Sequence, residues 1–163
     1  MEKRFLIIGL LLQLIVAFPS AGQKNNYYRK TFTIRDGLPN DNVKWITQDQ
    51  SGFLWIGTWD GLVRYDGSEF KVYRHDPNDS TSLGYFEVSK ICVDANNQVW
   101  TCSTNKLCRY ERADDHFVTY NMFDFPGSDP SYSLLVFDIF LDPEGQLYIR
   151  FKNGLYKYNQ YLD

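Results

Sequence analysis

Along this chain, short apolar runs alternate with breaks rich in Asp and Gly, and the runs are apolar on both faces. Phe53-Leu-Trp-Ile and Leu147-Tyr-Ile place large apolar side chains on successive positions, where a strand with one wet face would alternate apolar and polar. The breaks carry turn chemistry. Asp49 to Gly52 and Asp142 to Gly145 each pair an Asp that can accept from nearby backbone amides with a Gly free to take positive φ. Trp59-Asp60-Gly61 holds the Asp-Gly pair of a tight hairpin. The pattern predicts strands over Val43 to Gln48, Phe53 to Thr58, Leu62 to Asp66 and Glu69 to Arg74, a unit of four short antiparallel strands.

The unit repeats. Asp49, Trp55 and Tyr65 reappear as Asp94, Trp100 and Tyr110, and again as Asp142, Tyr148 and Tyr158. In each copy the Asp stands 6 residues before the first aromatic and that aromatic stands 10 before the Tyr, while copies begin 45 and then 48 residues apart. Periods of roughly 40–50 residues are those of β-propellers, whose four-stranded sheets pack on two neighbours and so cover both faces. The expected fold is all-β: a partial β-propeller of about three four-stranded antiparallel blades, the last one incomplete. A β-sandwich also uses short strands and frequent turns, but it does not account for the shared Asp, aromatic and Tyr register. That register marks Trp55, Trp100 and Tyr148 as core and Asp49, Asp94 and Asp142 as turn residues rather than paired catalytic carboxylates.

The organisation follows from the repeat. Residues 1–22 read as a signal peptide: Lys3 and Arg4, an apolar run from Phe5 to Phe18, then small residues from Ser20 to Gly22. The run has 14 residues, short of the roughly 20 that a spanning helix needs. Residues 23–42 form an N-terminal strand and lead-in, with the strand around Tyr28 to Ile34; 43–74 form the first blade; 75–121 the second blade with its lead-in loop; 122–163 a linker, around Phe123 to Tyr132, and an incomplete third blade ending at Asp163 before its outermost strand. An array left open exposes the apolar faces of its terminal units, so self-association, or partnership with further blades, is expected.

Composition narrows the partners. Aromatic residues make up 17% of the 163 residues, and the net charge is −3 with no run of Lys or Arg, so the chain lacks the basic surface that nucleic acid requires. Cys92, Cys102 and Cys108 show no metal-ligand spacing. The hairpin register sets Thr101, not Cys102, opposite Cys108, so all three read as small buried hydrophobes. No metal or other cofactor is expected. His75 and His116 stand without a nucleophile or carboxylate constellation. The candidates for ligand contact are turn residues that depart from the repeat: Trp59 and Asp60 in the first copy, and Asn105 and Lys106 at the matching hairpin of the second.

The chain resembles the two-component regulator propeller repeats of the periplasmic sensor half of bacterial hybrid histidine kinases, typical of gut Bacteroidetes. The resemblance rests on Gly37-Leu38-Pro39-Asn40 with Val43, Gly52 to Thr58, Gly61-Leu62, Arg64 to Gly67, Phe70 to Tyr73, Asp76 to Asp79, and Ser82-Leu83. The second copy departs from it, with Thr101-Cys102-Ser103-Thr104 in place of Ile-Gly-Thr and no Asp-Gly turn, and the third has Phe151 where the Thr would sit. The resemblance implies a non-catalytic periplasmic sensor segment. It would recognise an oligosaccharide to control polysaccharide-utilisation genes, with kinase and membrane anchor in parts absent from this sequence. Two other readings stand beside it: a fragment or protein-interaction module without a small ligand, and a propeller-fold glycosidase or lyase, which would need two carboxylates set for acid and nucleophile or base roles.

Overall fold

The computed structural model describes residues 28–103, 106–121, 136–151 and 154–158. The expected signal peptide, Asn105, the Phe123 to Tyr132 linker and the chain end lie outside them. Residues 28–31 fall in one compact unit and those from Phe32 onward in a second.

Three antiparallel sheets follow one another in the chain. The first holds β1 (Val43–Gln48), β2 (Leu54–Thr58), β3 (Gly61–Tyr65) and β4 (Phe70–Tyr73), hydrogen-bonded in that order. The second holds β5 (Lys90–Val93), β6 (Val99–Ser103), β7 (Lys106–Glu111) and β8 (His116–Asn121), again in chain order. The third holds β9 (Val136–Leu141), β10 (Leu147–Phe151) and β11 (Gly154–Lys157), three strands among the described residues. The strand expected around Tyr28 to Ile34 is a correction: no strand lies in the described residues before β1. Thr33 instead caps a 3-10 turn over Ile34–Asp36, accepting from the Arg35 amide while the Asp36 carboxylate takes the Thr33 amide. Aromatic composition alone makes no strand where local capping offers the backbone its hydrogen bonds.

The repeated Asp builds the same turn three times. One Asp49 carboxylate oxygen accepts from the Ser51 and Phe53 amides at 2.9 and 3.0 Å; Asp94 takes Asn96 and Gln98 at 2.9 and 2.8 Å; Asp142 takes Glu144 and Gln146 at 3.1 and 2.8 Å. Each turn needs one left-handed residue, supplied by Gly52, Asn97 and Gly145 with φ of 91°, 61° and 82°, and Asn tolerates that conformation better than other non-Gly residues. The second Asp49 oxygen accepts the Trp55 indole N–H at 2.8 Å, and that of Asp94 accepts Trp100 at 3.1 Å. This bond accounts for the six-residue spacing in the first two copies. At Trp59-Asp60 the hairpin differs in detail from the Asp-Gly expectation. Thr58 pairs with Gly61, so the glycine opens β3, with φ 119° and the position of an added Cβ only 2.5 Å from the Tyr73 carbonyl oxygen.

Both faces of the first sheet are covered. Trp55 and Leu62 pack with Ile91, Val99 and Tyr110 of the second sheet, while Ile56 and Val63 on the other face pack with Leu38 and, at the margin, Phe32 and Phe70. Trp100 and Leu107 likewise meet Ile139, Leu147 and Ile149 of the third sheet. Trp55, Trp100 and Tyr148 occupy matching positions, opposite Arg64, Arg109 and Lys157. Each Trp meets the repeat Tyr of the next sheet: Trp55 lies 4.8 Å from Tyr110 and Trp100 4.7 Å from Tyr158, ring centre to ring centre. Tyr148, with no following sheet among the described residues, is half-buried and stacks on Phe140 at 5.1 Å. Thr101 opposes Cys108 as the register predicts, and Cys102 and Cys108 are buried. Burial pushes the Cys102 thiol up to about 12 and Cys92 up to about 11.

Trp55→Ala and Trp100→Ala are each expected to cost roughly 3–5 kcal/mol, whereas Tyr148→Ala should cost on the order of 1 kcal/mol because its ring is only partly buried. Urea unfolding of the three variants checks this; equal losses at all three would contradict the packing order.

Candidate functional site

A polar lock joins the first two sheets around the Trp–Tyr contacts. Arg112, two residues past Tyr110, reaches back to Asp49 at 2.9 Å and also donates to the Asn97 carbonyl. Burial pushes the Asp49 carboxyl up, but the hydrogen bonds from Trp55, Arg112 and the Phe53 amide outweigh it and hold it below the usual carboxylate value. Gln50 ties the two Asp turns together, its amide donating to Asn97 Oδ1 at 2.8 Å. On the β3–β4 side, Asp115 accepts from Tyr73 at 2.7 Å and Tyr110 at 2.5 Å and pairs with Lys71, while Arg64 donates to Tyr110 at 2.9 Å. Burial raises the Asp115 carboxyl, yet the bonds from Lys71, Tyr110 and Tyr73 bring it down to about 2. Burial, with the hydrogen bonds to Tyr110 and Asp115, raises Tyr73 and keeps it a donor.

The sequence-predicted contact residues fall at separate places. Trp59 and Asp60 form the β2–β3 turn. Trp59 is 45% exposed, with Lys44 Nζ 4.2 Å from its ring centre, and Asp60 pairs with Arg74 at 3.4 Å. Lys44 in turn reaches Glu87 at 3.7 Å. Lys106 opens β7 and lines a cleft of about 270 Å³ with His75, Asp76, Leu83 and Thr119. His75 Nδ1 lies 2.7 Å from the Leu83 carbonyl oxygen. A larger cleft of about 630 Å³ lies between Asp94, Asp142, Glu144 and Tyr158. The Asp94 and Asp142 carboxylates there already bind their own turns, and no cluster of His, Cys, Asp and Glu able to hold a metal occurs among the described residues.

The structure adds a strip of residues along the first strands that the sequence did not single out. β1 lies against β5, and β5 against β9. The β1 ladder slips between Val43 and Trp45, and the β9 ladder slips at the matching point, between Val136 and Asp138. Such bulges re-aim side chains. Trp45 opposes Gly57, Lys90 opposes Cys102, and Asp138 opposes Arg150, so the three are one register position on successive sheets. Lys90 Nζ stands 4.8 Å from the Trp45 ring centre and is ion-paired with Asp138. No periodic signal marks this position, because it carries an aromatic, a cation and an anion in turn.

Fold and repeat together define a β-propeller repeat protein. Residues 37–60 match the family model described as Two component regulator propeller. Histidine kinase P4 of Formosa agariphila is 43% identical over 77 residues, 47% of this chain but 6% of that protein. Two crystal structures of an extracellular domain from B. thetaiotaomicron share the fold. One, described as part of a hybrid two component system, matches with TM-score 0.61 at 23% identity over 79% of this chain and 17% of that one. The other, described as part of a one component system, gives 0.59 at 24% over 80% and 16%. The chain therefore spans a small part of the proteins it matches. No helix among the described residues is long and apolar enough to cross a membrane.

The Asp115 cluster has a pH signature. Its folded carboxyl lies at about 2, against 3.8 for the free group, so its stabilisation is complete above about pH 4 and drains away as pH falls towards 2. Asp115→Asn should cost about 1 kcal/mol at pH 7, discounted for the exposure of the pair. It should also flatten the loss of stability between about pH 4 and 2, measured by denaturation at stepped pH. An unchanged acid limb would assign that loss to other carboxylates.

Proposed function

We propose that this chain is a non-catalytic segment of the periplasmic input region of a two-component signalling protein, and that its ligand is an oligosaccharide whose binding controls polysaccharide-utilisation genes. The observation that carries the reading is the match of residues 37–60 to the regulator propeller repeat, supported by 43% identity with a histidine kinase over 77 residues. The Asp carboxylates of the repeat are engaged in turns, which argues against a glycosidase or lyase mechanism built on them. The chain reaches its full function beside further blades. Phe140 and Leu155 on the third sheet are 38% and 57% exposed, on the face where the two earlier sheets each receive a following one.

Titration of the purified chain against a glycan panel by calorimetry should give saturable binding to at least one member; a panel with no binder would remove the sensor reading for this segment. Size-exclusion chromatography should show self-association driven by the open face of the third sheet, reduced by Leu155→Lys, whereas a stable monomer would argue against that partnership.

A further inference from the structure

We infer that the ligand is held at the first-strand edge by Trp45, Lys90 and Asp138, with Trp59, Lys44 and Glu87 beside them, and that it is a neutral saccharide. This rests on the oligosaccharide reading above and fixes both its place and its charge class. Three observations converge on the edge. The first is the departure from the repeat. The turn positions of the repeat keep their chemistry from copy to copy, as Asp49, Asp94 and Asp142 do in accepting from their own turns, while the position shared by Trp45, Lys90 and Asp138 changes completely, with Lys90 touching both of the others.

The second is the bulge, which places the neighbours Lys44 and Trp45 so that both reach towards the second sheet and its lead-in, Lys44 to Glu87 and Trp45 to Lys90. The third is exposure. Trp45 is 38% and Trp59 45% exposed, unlike Trp55 and Trp100 at 0% and 2%. Exposed indole faces offer an apolar platform to the C–H face of a sugar ring, and the flanking ammonium and carboxylate groups are strong partners for hydroxyls.

The charge class follows from the pairing. Lys44 is matched by Glu87 and Lys90 by Asp138, so the four charges sum to zero. A sulfated or uronate-containing ligand would have to break one of these pairs and would then face the released carboxylate. A hydroxylated neutral ligand can bond to both members of a pair without separating them. Its binding should also be nearly independent of salt, since no net charge is neutralised.

The test uses the full chain, with cellohexaose, xylohexaose, mannohexaose and maltohexaose as neutral probes and a heparin hexamer and a galacturonate hexamer as acidic ones. A neutral probe should bind, with little change between low and high salt. Trp45→Ala and Lys90→Met should each weaken it by about tenfold. Asp138→Asn, which keeps shape and volume, should weaken it measurably while leaving the circular dichroism and urea midpoint near wild type, so the proposal stays testable even if Trp45→Ala unfolds. Neutral binding that survives Lys90→Met and Asp138→Asn unchanged would place the site elsewhere and overturn this inference, leaving the sensor reading intact. Preference for an acidic probe, lost with salt, would overturn the charge class. Failure of every probe to bind the wild-type chain would overturn both readings together.

Discussion

A sheet that is apolar on both faces cannot stand alone in water, and the whole arrangement answers that constraint. The central strands β2 and β3 send alternate side chains to two different partners: Trp55 and Leu62 to the second sheet, Ile56 and Val63 to the lead-in around Leu38. Burial of this kind supplies the driving force, but it does not choose a register. The choice comes from polar groups placed at the rim of the apolar layer, where a slip would leave a buried partner unsatisfied. Asp49 is the clearest case. It is 5% exposed, and its two oxygens serve its own turn, the Trp55 indole and Arg112 of the next blade.

One residue thereby couples three levels of structure. Its backbone-directed oxygen shapes the turn, its outer oxygen fixes the rotamer of the core Trp, and the guanidinium that neutralises it arrives from the neighbouring sheet. The same logic is visible at the other rim, where Tyr110 touches Trp55 through its ring and Arg64 and Asp115 through its hydroxyl. An aromatic with a polar tip suits this place because its ring joins the core while its oxygen joins the network outside. The blade-to-blade contact is therefore written into the repeat itself, Trp of one copy against Tyr of the next, ten residues further along its own copy.

This is why so much of the fold was legible before any coordinates. β1 falls on the run from Val43 to Gln48, and the pairing of Thr101 with Cys108 follows from centring the hairpin. Legibility ended where the residues involved do not recur. The indole-to-carboxylate bond was hidden because turn chemistry already accounted for Asp49. The segment near Tyr28 has strand-like composition but no ladder, and a 3-10 turn capped by Thr33 follows it. Among the candidate contact residues, Trp59 was visible as an aromatic in a turn. Trp45 was not, since a Trp inside a strand reads as core, whereas this one is 38% exposed.

That failure has a structural reason. In a repeat protein, the residues of the recurring contact between units are held to one chemistry, as Trp55 on Tyr110 and Trp100 on Tyr158 are. The first strands escape this commitment. Among the described residues, β1, β5 and β9 each stand at the end of their sheet's strand order, hydrogen-bonded to one neighbouring strand, and an edge strand tolerates a bulge that a central strand would not. Position by position they can vary without loosening the Asp, Trp and Tyr contacts that hold the sheets together. Trp45, Lys90 and Asp138 use that freedom: one register position carries an aromatic, a cation and an anion in turn, and Lys90 joins the other two.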